Sequence, residues 1–225
     1  MMGMPFFRSL RGRFERRLVF NSLRTNLQSM AYRLIQPPPP YGPFRERSQD
    51  ELKDYFRWFF AVMDERINEL IPAVRATSGF QIWRPDYSPA SLDSLGDWFV
   101  GQVETRPRTQ EEINKIAEAL KFPVLIPISE RTLSERTLSL TIDVAMYFGR
   151  VLQKNNPSLK WDQRLRGKGF ADYGQTVLIG FGAGVPLNPV RLVRTTALSV
   201  MASNPRGKSL RGFYDHWIQK IPLTS

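Results

Sequence analysis

The sequence predicts a predominantly helical α+β fold, with about five or six helices packed with a small antiparallel sheet or hairpin near the C-terminus. Apolar residues recur at spacings of three and four from Leu52 to Val74, the period of a helix with one covered face. Helix-start patterns precede further apolar runs, and after Asn155, Asn156 and Pro157 the period changes to alternation, as in a half-buried strand.

Residues 1–36 read as a basic arginine-rich N-terminal arm. It carries Arg8, Arg11, Arg13, Arg16, Arg17, Arg24 and Arg33 against Glu15 alone, a net +6 of the chain's +11. Phe7, Leu10, Phe14 and Leu18 share one helical face, as a surface-lying amphipathic helix requires. Arg11 and Arg17 intrude on that face or its edge. The acid-poor, Arg-rich start also has the composition of an organelle transit peptide, and Met30 is an alternative start. Residues 37–47 form a proline-rich linker, because Pro37 to Pro40 fix φ and remove backbone donors. The string Pro38-Pro39-Pro40-Tyr41 has a form that WW modules bind, with a rigid spacer as the simpler reading.

Residues 48–225 are expected to be the globular part. Ser48 N-caps the first long helix, with Asp50 and Glu51 in its first turn. Leu52, Tyr55, Phe56, Phe59, Met63, Ile67, Leu70 and Val74 mark its covered face. A shorter helix follows from Ser91 to about Val103. Thr109 and Glu112 form a capping box ahead of a third, and Pro123 and Pro127 interrupt regular structure around Val124, Leu125 and Ile126. The pentapeptide Glu-Arg-Thr-Leu-Ser occurs twice in tandem at 130–139. It reads as the approach to a fourth helix that turns Leu138, Ile142, Ala145, Met146, Gly149 and Leu152 inward. A strand then places Leu159, Trp161 and Leu165 on one face and Lys160, Asp162, Arg164, Arg166 and Lys168 on the other, and Thr176–Phe181 pairs with it. Pro189 opens a helix to about Met201, and Ser209 to Ile218 forms the last.

Composition restricts the chemistry. The 225 residues hold no Cys and a single His, which leaves out disulfides, thiolate nucleophiles and the usual zinc ligands. The expected compartment is the cytoplasm, and no cofactor or metal is expected. No apolar run approaches the ~20 residues that a membrane-crossing helix needs.

Several motifs fall short of a catalytic set. Ala202 to Ser209 fits a relaxed phosphate-loop pattern but lacks its supporting strands. Gly180-Phe-Gly182-Ala-Gly184 would need glycine at 185 to be a dinucleotide fingerprint, and Val185 stands there. Asp215 is poorly placed to orient His216 on a helix.

The candidate anion-binding residues are Arg8, Arg11, Arg13, Arg16 and Arg17 in the arm, and Lys160, Arg164, Arg166 and Lys168 on the strand, with Phe170 and Tyr173 nearby. Cations beside aromatic rings attract phosphates and other anions; the plainer reading is a solvated edge. Asp143 and Tyr147, four apart on the fourth helix, and Trp161 are candidate cleft-lining residues, with structural roles as the plainer alternative. These features point to a non-enzymatic intracellular binding protein with a basic surface for an acidic protein or nucleic acid. The alternatives are peripheral attachment to an anionic membrane through the arm and an unrecognised enzyme.

Overall fold

The computed structural model describes residues 32–39, 42–119, 127–202 and 209–222. The chain divides into two units, Met1–Arg33 and Leu34–Ser225, and all the elements below belong to the second. Among the described residues these are α1 (Gln49–Arg75), α2 (Ser91–Gly101), β1 (Thr105–Pro107), α3 (Gln110–Ala119), β2 (Arg131–Leu133), α4 (Glu135–Asn155), β3 (Lys160–Gln163), β4 (Thr176–Ile179), α5 (Pro189–Met201) and α6 (Leu210–Ile218). The fold is α+β and predominantly helical, with two small antiparallel two-stranded sheets, β1–β2 and β3–β4.

Among the described residues every α-helix start but that of α2 has a side-chain cap. Ser48 accepts from the Glu51 amide, and the Glu51 carboxylate accepts from the Ser48 amide at 2.7 Å, a reciprocal capping box. Thr109 and Glu112 repeat it at α3. Ser134, Asn188 and Ser209 cap α4, α5 and α6 by accepting from the amide three residues on. Each such cap is worth about 1 kcal/mol over alanine.

The core is built around α4, which packs on α1, α2, α5 and α6. Leu140, Val144, Ala145, Met146, Phe148 and Val151 on α4 are fully buried, so this helix is covered nearly all round, as a central helix must be. Leu52, Phe59, Met63, Leu70 and Val74 of α1 are likewise fully covered. Phe56, placed on the covered face by its spacing, is only half-buried and packs edge-on against Phe60. Each fully buried Leu or Phe side chain contributes about 1.5–3 kcal/mol.

The tandem pentapeptide adopts two structures. In the first copy, Glu130–Ser134, the middle residues form β2, whose Leu133 is buried and stands opposite Thr105. The second copy, Glu135–Ser139, is the first turn and a half of α4. Ser134 switches the chain from strand to helix. Its amide donates to Glu104 O at 2.9 Å while its hydroxyl caps Thr137. The expectation of one helical approach was therefore wrong for the first copy. Leu138 is 38% exposed where inward packing was expected. Thr137 and Ser139 take the covered positions: Thr137 accepts from the Glu104 amide at 2.8 Å, and Ser139 accepts from the Ile35 amide at 2.7 Å. Buried hydroxyls are acceptable there because each has a partner.

The β3–β4 hairpin lies after the α4 terminus, with Lys160 opposite Ile179 and Asp162 opposite Val177. Trp161 packs over Gly149, where any β-carbon would collide with its indole ring, and its ring centroid is 5.8 Å from that of Phe59. Glycine at 149 is thus required by close approach.

Candidate functional site

The strand anticipated for 159–168 is shorter than its alternating pattern. Pairing ends at Gln163, and Arg164, Arg166 and Lys168 lie in the connection to β4. Gln163 explains the stop. Its side-chain amide donates to Leu52 O at 2.6 Å and to Gly174 O at 2.8 Å, which ties the hairpin to the first turn of α1. The Gly174 amide then donates to Arg164 O at 2.8 Å and closes the connection. Arg45 adds a longer bond to Gly169 O at 3.4 Å.

Lys160, Arg164, Arg166 and Lys168 are all exposed, and among the described residues none forms an ion pair. Asp162 is the acid interleaved with them on the strand. The Arg164 guanidinium lies 3.2 Å from the centroid of the Phe170 ring, and its Nε donates to Arg166 O at 3.3 Å. This cation–π stack fixes an otherwise flexible side chain. Gly167 makes it possible: its φ is +72°, and a β-carbon there would meet the Phe170 ring at 2.9 Å.

The hairpin borders a cavity of about 560 Å³. Val177, Ile179, Val185 and Pro186 supply apolar lining, with Phe170 beside them. Arg164, Arg191, Asp162 and Asp172 are its charged members. Asp172 is nearly buried, pairs with Arg191 at 3.0 Å, and accepts from Asn188 Nδ2 at 2.9 Å. Asn188 also donates to Gln175 Oε1 at 2.8 Å while capping α5. One wall is therefore held by a network whose polar groups satisfy one another.

Asp143, Tyr147 and Trp161, grouped from the sequence as cleft-lining, are held in three separate contacts, and none of them lines this cavity. Asp143 is fully buried and takes a two-point ion pair from Arg66, Nε to Oδ1 at 2.9 Å and Nη2 to Oδ2 at 2.7 Å. The Tyr147 hydroxyl is 2.8 Å from Ser91 Oγ and accepts from the Tyr87 amide at 3.2 Å. Burial pushes the Tyr147 phenol up to about 12, so it is neutral at physiological pH. The Trp161 indole N–H donates to Gln153 Oε1 at 3.2 Å. The arm residues Arg8, Arg11, Arg13, Arg16 and Arg17 lie outside the described residues, as do Val124 to Ile126, most of the phosphate-loop-like string at 203–208, and the Pro40-Tyr41 pair.

The remaining motifs have structural uses. The Gly182 amide donates to Lys220 O at 2.6 Å, and Phe181 packs edge-on against Trp217. Asp215 receives Arg211 Nε at 2.9 Å, so its carboxylate is engaged on the neighbouring turn. Among the described residues no three His, Asp or Glu side chains come together as a metal site would need, and no helix is long and apolar enough to cross a membrane.

Sequence reasoning found the four hairpin cations and Phe170 but missed Arg191, Asp172, Ile179 and Val185 as their neighbours. The Asn188-Pro189 helix start was the available signal, because it fixes where α5 begins and hence where Arg191 points. Compared with known proteins, the chain matches no family model, no curated protein and no solved structure.

Proposed function

We propose that this chain is a non-enzymatic binding protein that engages an acidic partner through the cationic hairpin at residues 160–170. The observation that carries the reading is the clustering, among the described residues, of four exposed cations without ion pairs on one hairpin. Lys53, Arg66, Arg106, Lys115, Arg150 and Arg191 each hold a carboxylate within 3.0 Å. Lys160, Arg164, Arg166 and Lys168 are exposed and hold none among the described residues. A cluster of uncompensated cations raises the local potential and steers anions toward it. The non-enzymatic part is supported by the buried acid Asp143 and the buried phenol Tyr147, both committed to structural partners.

The test is fluorescence anisotropy of a labelled polyglutamate peptide at low and physiological salt. Changing Arg164, Arg166 and Lys168 together to Gln should weaken binding on the order of tenfold, since three surface contacts of about 0.5 kcal/mol each sum to about one decade. The loss should shrink as salt rises. Equal affinity of the wild type and the triple variant at low salt would defeat the proposal.

A further inference from the structure

We infer that the acidic partner is a peptide segment carrying one apolar anchor side chain, which seats in the cavity beside the hairpin; the inference rests on the binding role just proposed. Its starting point is where the molecule leaves apolar surface uncovered. Among the described residues eight large apolar side chains are exposed, and three of them, Phe170, Ile179 and Val185, line this one cavity. Apolar exposure gathered at one place marks an interaction site more strongly than the same residues scattered singly. The volume of about 560 Å³ lies in the usual range of about 300–1,000 Å³ for sites that enclose a ligand group.

The charges around it select the partner. Lys160 stands directly opposite Ile179, which lines the cavity, and Arg164, the residue after β3, lines the cavity too. At about 3.3 Å per residue these cations are roughly 13 Å apart. Asp162, exposed between them, repels an acid over the middle of the strand. An extended peptide running along β3 therefore fits best with its apolar residue at the centre and an acid two positions to either side. The second acid meets the Arg164 guanidinium, which the Phe170 stack holds in place.

Nucleic acid fits this surface less well. Single strands bind where successive bases find open aromatic faces beside a continuous cationic track. Here the one exposed ring on this surface, Phe170, already carries Arg164 on its face, and the apolar part of the cavity lining beyond it is aliphatic. An aliphatic pocket beside separated cations is suited to an apolar side chain flanked by carboxylates.

The experiment compares three labelled probes by anisotropy on the full chain: an acidic peptide with a central Phe and Glu two positions to each side, the same peptide with Ser for Phe, and oligo-thymidine. The Phe peptide is expected to bind about tenfold or more tightly than the Ser peptide. A double variant, Ile179→Gln with Val185→Gln, should erase that difference while leaving the Ser peptide unchanged. Equal affinity for the Phe and Ser peptides overturns the inference, as does oligo-thymidine binding as tightly as the Phe peptide in an Arg164-dependent way. Failure of all three probes to bind overturns the binding role itself, which separates the two failures. The Phe-to-Ser comparison changes only the probe, so it holds whatever the double variant does to folding.

Discussion

Arg66 and Arg164 are the same side chain put to opposite uses. Arg66 is only 4% exposed, and the Asp143 carboxylate that it grips from across the α1–α4 interface is fully buried. Arg164 stands in solvent on a ring of Phe170 and has no acid partner among the described residues. The first pair must recover the large cost of taking two charges out of water, which two short bonds of good geometry can do. The second retains its hydration and its charge for an incoming anion. Interior charge here specifies how α1 and α4 meet, whereas the charge on this hairpin is left available.

The largest expected effect lies on the interior side. Asp143→Ala removes the carboxylate that takes two bonds from the buried Arg66 guanidinium and should cost about 3–5 kcal/mol of stability, measured by denaturant unfolding. Replacing both partners with well-packed apolar residues should recover most of that loss, and failure to recover it would mean the pair does more than fix packing. Next in size is Gly149→Ala, which drives a methyl group into Trp161. Overpacking of this kind costs about 1–3 kcal/mol, and the displaced indole should shift the tryptophan emission. A variant with normal emission and stability would contradict the close approach.

The surface side predicts the reverse pattern. Changing Arg164, Arg166 and Lys168 to Gln should alter stability by no more than about 0.5 kcal/mol while removing most polyanion affinity. The smallest effect belongs to the Arg106–Glu112 pair that joins β1 to α3. The hydrogen bond from Arg106 holds the Glu112 carboxyl well below its ordinary 4.5, at about 2. A lowered folded-state value means the link stabilises the fold above about pH 4.5 and is lost as the pH falls toward 2. Titration of the Glu112 carboxyl by NMR should show it, and Arg106→Gln should return the midpoint toward 4.5.

Much of the helical framework was legible in the sequence because its signals are local. Ser48 and Thr109 announce their helices through bonds three residues long, and Pro189 marks the first turn of α5. The apolar spacing from Leu52 to Val74 is equally local. The β1–β2 sheet was not legible, because three-residue strands separated by α3 are chosen by tertiary contact. Glu-Arg-Thr-Leu-Ser makes the point within one chain, as strand in its first copy and helix in its second. The site was half legible: alternation exposed Lys160 and Arg164, and the start of α5 is a local signal for Arg191, but nothing local says that Val185 folds back beside them. The same limit hid the Arg66–Asp143 pair, whose members are 77 residues apart.

The most direct test of the central claim is a matched-charge comparison. One variant changes Arg164, Arg166 and Lys168 to Gln; the other changes Lys115, Arg136 and Arg150, whose cations hold Glu111, Glu104 and Asp64. Both lower the net charge equally. Polyglutamate affinity at low salt should fall about tenfold in the first variant and change little in the second. Equal losses in both would show that attraction follows total charge, and that the hairpin has no special part in it.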